Sequence, residues 1–149
     1  MRLILAATLL LAAAPAYAAP RAGTCRLSPK QVVTRFMDEF YVQKHVRSAF
    51  ERWVAPSYIQ HNPFAQTGRD AAIAFLEPFV AANPDLKTEI KRVIADGNLV
   101  AVHSHGWSAP GKPGMAVVDI FRVRGCRVME HWDVVQPVPE KSSNTNTMF

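Results

Sequence analysis

The sequence predicts an α+β fold, on three observations. Apolar residues recur at helical spacing through the first half of the chain, from Val32 to Val80. From Leu86 onward the pattern changes to alternation, which sends successive side chains to opposite faces of a sheet. Between two of the alternating runs sits Asp96-Gly97, a dipeptide suited to a tight hairpin turn. Helices first and an antiparallel meander after them make an α+β order, with no internal repeat and no second domain.

The first eighteen residues stand apart from that fold. Met1-Arg2 is a minimal positive start, 3–14 is an apolar run, and Ala16-Tyr17-Ala18 is a small-x-small cleavage site. This predicts a secretory signal peptide cut after Ala18, its apolar run too short and wrongly flanked for a membrane span. No Cys stands at the cut, so no lipid anchor is expected, and the destination is the periplasm or the exterior. The remainder, 149 − 18 = 131 residues, divides into an arm over 19–27, one domain over 28–137 and a tail over 138–149. Its formal charge is 16 − 12 = +4, because Arg2 leaves with the signal. The basic residues (Arg21, Lys44, Arg52, Lys91, Arg124) are scattered, which excludes a nucleic-acid stripe.

Ser28-Pro29 opens the first helix, Ser as cap and Pro in the first turn, followed by an apolar stripe of Val32, Val33, Phe36, Met37 and Phe40. A second helix is predicted over 45–54, ended by Ala55-Pro56, and an irregular or briefly extended link over 58–63. The third runs over 68–82 and stops at Asn83-Pro84. Four strands follow, over 86–95, 98–107, 115–123 and 126–135, the last two joined at Arg124-Gly125. Helices packed on one side of a curved sheet would leave a pocket inside the curve. Cys25 and Cys126 are the only cysteines and are a disulfide candidate in an oxidising compartment, tying the arm to the last hairpin.

Asp119 is the sharpest polar signal. It stands inside Ala116-Val117-Val118-Asp119-Ile120-Phe121, where a carboxylate is costly unless paired, and where a desolvated carboxyl suits general acid-base work. His103 and His105 share one face of the preceding strand with Trp107, and antiparallel pairing would bring one of them beside Asp119. In the last strand His131 and Asp133 point to one side, Glu130 and Trp132 to the other. A two-residue loop pairing Val123 with Cys126 puts Glu130 and Trp132 on Asp119's side, and a bulge swaps the faces. Tyr58, His61 and Asn62 lie on the link that could close the pocket mouth. A metal-free site is expected: Ser108-Ala109-Pro110 follows the His-x-His pair, where a cupin-type metal motif needs a Glu.

"YIQHNP", "IADGNLVAVHSH" and "VVDIFRVRGCRVMEHWDVVQ", in this order, resemble the SnoaL-like polyketide cyclase family of the nuclear transport factor 2-like superfamily, from about Ser28 to Pro137. The resemblance implies a cone-shaped, curved antiparallel sheet wrapped around about three helices, often dimerising through the sheet. It also implies an aspartate acid-base catalyst without metal or cofactor, at Asp119 by motif position, with His105 as its partner. His131, Asn62 and Tyr58 would then steady an oxyanion or the substrate, and Trp107, Trp132 and Phe121 would supply apolar contact. The function expected is an exported, cofactor-independent isomerase, lyase or cyclase acting on a small hydrophobic carbonyl compound. The alternative is a non-enzymatic binder of a hydrophobic ligand in the same pocket.

Overall fold

Ser28 opens the first helix by a capping box. Its hydroxyl accepts from the Gln31 backbone N–H at 3.2 Å, and the Gln31 side chain accepts from the Ser28 N–H at 2.9 Å. Residues 25–149 are described here by a computed structural model. The signal peptide expected over 1–18, and the arm as far as residue 24, lie outside the described residues. The helix, α1 (Pro29–Met37), buries Val32, Val33, Phe36 and Met37, the expected stripe. It runs on into a π-helical turn, Asp38–Val42, which widens the helix where Phe40 and Tyr41 sit. Helix α2 (Val46–Trp53) buries Val46, Ala49 and Phe50, and α3 (Arg69–Ala82) buries Ala72, Ile73 and Val80. Among the described residues no helix is long and apolar enough to cross a membrane.

Five strands follow the order β1-β5-β4-β3-β2 in one open sheet: β1 (Val54–Gln60), β2 (Lys87–Asp96), β3 (Leu99–Trp107), β4 (Met115–Arg124) and β5 (Arg127–Pro137). The last four form the expected antiparallel meander. Strand β1 is the addition: the end of the expected second helix, its Ala55-Pro56 stop and the start of the irregular or briefly extended link form an edge strand, parallel to β5. Pro56 concealed it. This proline lies between Val54 and Ile59, where the pairing register shifts, so its missing N–H interrupts no regular ladder.

The helices cover one sheet face. Phe36 is the hub, its ring 5.2 Å from Phe50 and 5.8 Å from Phe121, both edge to face. Val100, Val102, Val123 and Val128 close the core from the sheet side. A disulfide joins Cys25 to Cys126, with Cα atoms 5.4 Å apart, fastening the chain ahead of α1 to the β4–β5 turn. That turn is Gly125-Cys126, both at positive φ (54° and 62°), as the hairpin turns that match strand twist require. Glu39 fixes α2 to the π-helical turn. Its carboxylate accepts from Ser48 Oγ and Trp53 Nε1, each at 2.8 Å, with Arg52 3.6 Å away.

Candidate functional site

The register of β4 decides which polar groups meet. Asp119 lies opposite Val102 on β3 and opposite Asp133 on β5, and Phe121 lies opposite His131. Directly opposed residues share a face, so Asp119, Phe121, His131 and Asp133 all point toward the helices. Turn and bulge together produce this. The turn pairs Arg124 with Arg127 and Val123 with Val128, and Met129 is then an extra residue that pairs Arg122 with Glu130. Without the bulge, Trp132 would oppose Asp119.

Phe121, His131 and Asp133 border a cavity of about 220 Å³ between sheet and helices. Phe36, Phe40, Phe50 and Phe121 form its apolar depth, and Phe64 and Phe75 its outer side. Phe64, on the loop after β1, is 92% exposed. The polar wall consists of Tyr41, Tyr58, Gln60, Asn62, Gln66, His131 and Asp133. Asp119 is only 2% exposed and sits behind His131, with Oδ1 2.9 Å from His131 Nε2.

A chain of hydrogen bonds sets the proton positions in that pair. The backbone N–H of Asn62 donates to Gln60 Oε1 at 3.0 Å, so the Gln60 oxygen, not its nitrogen, faces that way. Gln60 Nε2 in turn donates to the Tyr58 hydroxyl at 3.1 Å. The same Gln60 oxygen lies 2.9 Å from His131 Nδ1, which must therefore carry a proton and donate it. The short contact between His131 Nε2 and Asp119 Oδ1 then needs a second proton, because two bare lone pairs at 2.9 Å repel. The pair thus holds one shared proton, as imidazole with carboxylic acid or as imidazolium with carboxylate. Among the described residues Asp119 Oδ2 is buried without a hydrogen-bond partner, which a neutral carboxyl tolerates better than a charged one.

Asn62 secures the neighbouring acid. Its amide nitrogen donates to both oxygens of Asp133, at 2.9 and 2.7 Å, and its oxygen accepts from the Phe64 N–H at 2.9 Å. Asn62 lines the cavity, but these bonds engage its amide, so it holds Asp133 and the mouth loop in place of the expected donation to a substrate carbonyl. The Tyr58 hydroxyl is driven well above the ordinary phenol value by burial, then by the charges of Asp119 and Asp133. Tyr41 is raised likewise by burial, then by Asp119, Tyr58 and Asp133. Both phenols stay protonated and can donate into the cavity.

Several expected site residues lie elsewhere. His105 opposes Ala116 and His103 opposes Val118, so both occupy the outer sheet face, away from Asp119. The expectation of His105 as Asp119's partner is therefore corrected: the imidazole beside Asp119 is His131. His105 Nε2 lies 2.7 Å from the Pro113 carbonyl oxygen, with its ring 3.7 Å from Trp107 and 4.1 Å from the C-terminal Phe149. His103 Nδ1 lies 2.7 Å from an Arg92 guanidinium nitrogen. Trp132 is on the outer face as well, stacked at 4.5 Å on His61, whose Nε2 is 3.4 Å from Glu130. None of His61, His103, His105, Trp107 and Trp132 lines the cavity. Of the expected residues, Tyr58, Asn62, Phe121, His131 and Asp133 do.

Among the cavity residues that went unread in the sequence, Gln60 and Tyr41 matter most to the hydrogen bonding. Gln60 follows Tyr58 by two in an extended segment, which places both on one side once β1 is recognised. Tyr41 falls in the π-helical turn, where a 3.6-residue period misassigns faces. As for metals, Asp119, His131 and Asp133 bring donor atoms within 4.8 Å of one another, a different set from the His-x-His pair.

A model of the SnoaL-like domain matches residues 33–131. No curated protein sequence matches the chain. Among solved structures, a provisionally named polyketide cyclase from Acidithiobacillus ferrooxidans superimposes with a TM-score of 0.59 at 19% identity, over 75% of this chain and 91% of that one. IdmH from Streptomyces antibioticus, also provisionally named a polyketide cyclase, gives 0.57 at 18%, over 73% and 92%. An NTF2-like protein of unknown function from Cytophaga hutchinsonii gives 0.61 at 13%, over 76% and 94%. At these identities the likeness is one of fold.

Proposed function

The chain belongs to the SnoaL-like domain family, and from that premise we propose that it is a cyclase- or isomerase-type enzyme that needs no cofactor. It moves a proton next to the carbonyl group of a small apolar substrate held in the cavity. The observation that carries this reading is the proton-sharing contact between Asp119 and His131, set in the wall of an aromatic cavity and oriented through Gln60. The pair stores a proton out of water and can return one, as acid-base catalysis at carbon requires. Tyr41 and Tyr58 supply O–H donors to a carbonyl oxygen as charge develops on it.

The test pairs a ligand with a variant. Native mass spectrometry of the protein purified from the periplasm, before and after chelator, identifies any organic molecule carried with it. That molecule and related carbonyl compounds are then assayed with Asp119→Asn. The expected result is a loss in kcat of about 10²–10⁴-fold with affinity held within about tenfold. Full activity in the variant would overturn the assignment, and a chelatable metal would give Asp119, His131 and Asp133 a different role.

A binding protein using the same cavity is the second reading. The withdrawal of Asp119 behind His131 favours it, since no Asp119 oxygen opens onto the ligand space. Ligand binding without turnover in any assay would select it. We also propose export to the periplasm or beyond, supported by the Cys25–Cys126 bond, which persists in oxidising compartments. A homodimer through the outer sheet face belongs to the same proposal. Light scattering of the purified protein tests it.

A further inference from the structure

The charge of the cavity wall narrows the ligand. Lys and Arg outnumber Asp and Glu in the chain, 17 to 12, yet among the described residues no Lys or Arg lines this cavity, whereas Asp133 does. A second carboxyl, that of Asp119, lies directly behind His131. The partner of Asp133 is the neutral amide of Asn62, and no cationic side chain pairs with it among the described residues. The phenols of Tyr41 and Tyr58 resist ionisation, so they stay neutral and add donors without charge.

These groups treat three kinds of ligand differently. An anion would enter an aromatic, poorly hydrated space beside the Asp133 carboxylate, where the His131 ring is already engaged on both nitrogens by Gln60 and Asp119 and so is not free to meet it. A cation would gain the Asp133 carboxylate and the faces of the aromatic wall. A neutral carbonyl compound would find the two phenol donors and leave Asp133 undisturbed.

We propose that the ligand of this cavity is an apolar molecule that is neutral or cationic at its polar end and never anionic, and that Asp133 enforces the selection. The proposal rests on the reading of this cavity as the substrate site. It excludes free carboxylic acids and phosphorylated compounds, and admits ketones, esters and protonated amines.

Calorimetry at neutral pH with three probes of one ring system tests it: 2-acetylnaphthalene, 2-naphthylmethylamine and 2-naphthoate. The ketone and the amine should bind at least tenfold more tightly than the carboxylate. In Asp133→Asn, which keeps an acceptor for the Asn62 amide, the amine should lose about tenfold and the carboxylate should gain. Naphthoate binding as tightly as the ketone overturns the proposal, as do amine and carboxylate affinities unchanged in the variant, or binding by none of the three. Should the variant fail to fold, the ranking in the unaltered protein still decides. Binding is read here without turnover, so a protein that takes the ketone and amine but converts nothing would fail only the catalytic reading.

Discussion

Asp119 Oδ1 and His131 Nε2 lie 2.9 Å apart across neighbouring strands, and each is held there by what stands behind it. His131 is fixed from its other nitrogen by Gln60, while Asp119 is sealed by the core. The contact exists because one extra residue in β5, Met129, turns His131 inward.

The two histidines singled out in β3 and the one in β5 can be told apart by activity. With any substrate turned over, His131→Ala should lower kcat by at least a hundredfold, and His105→Ala should leave it within about threefold. A large loss in the second variant would restore a role for the outer face.

Gln60 should act by orienting a proton. In protein labelled with 15N histidine, the His131 signals, identified by their loss in His131→Asn, should show Nδ1 protonated. Gln60→Leu removes the acceptor and should shift that pattern, while Gln60→Glu, which retains one, should preserve it. A bare Nδ1 in the unaltered protein would contradict the hydrogen-bond chain.

Glu39 gives a pH dependence with a definite sign. Burial alone would raise its carboxyl, but hydrogen bonds from Ser48 and Trp53 and the charges of Arg52 and His45 outweigh it and hold the group below its ordinary 4.5. A depressed folded value stabilises the fold above the unfolded pKa, and that contribution fades as pH falls below about 4.5 toward the folded value. The Tm of Glu39→Gln should therefore fall less steeply with acid than that of the parent. Parallel Tm curves would remove Glu39 from the acid response.

The disulfide spans 101 residues of sequence, so opening it restores much freedom to the unfolded chain. The Cys25→Ser, Cys126→Ser double variant should lose about 2–5 kcal/mol of stability in denaturant titration. Two free thiols on the oxidised, unfolded parent protein would mean that the bond does not form.

Gly114 carries a packing constraint. At φ 80° its added Cβ would collide with the Gly106 carbonyl oxygen, backbone that cannot swing aside. Gly114→Ala should therefore lower the Tm and loosen the turn between β3 and β4. An unchanged Tm would show that the loop is free to move.

Much of this fold was legible in residues near one another. The Ser28 cap, the Val32–Phe40 stripe, the hairpin expected at Asp96-Gly97 (found one residue on, at Gly97-Asn98) and the alternation of the strands are local, and they gave three helices and a meander of the right order. The site was legible in part. Asp119 stood out because a carboxylate among β-branched residues needs a reason. His105 was misplaced because strand pairing depends on the loop over 108–114, and a shift of one residue exchanges the two faces. Val100 and Val102 carried the missing signal: they are the aliphatic residues that the helices must cover, which puts His103 and His105, at odd positions of the same strand, on the other face.

The sequence by itself determined the α+β order, the disulfide candidate, the family resemblance and the presence of an acid that a strand interior would not otherwise tolerate. These follow from side-chain chemistry and short periodicities, which need no knowledge of distant partners. The tertiary structure alone decided that His131 and not His105 meets Asp119, that β1 joins the sheet, and that Gln60 and Tyr41 enter the wall. Each of these depends on a bulge, an edge pairing or a widened helical turn. Such features add one residue to a local period, and only the packing of the whole chain fixes where that residue falls.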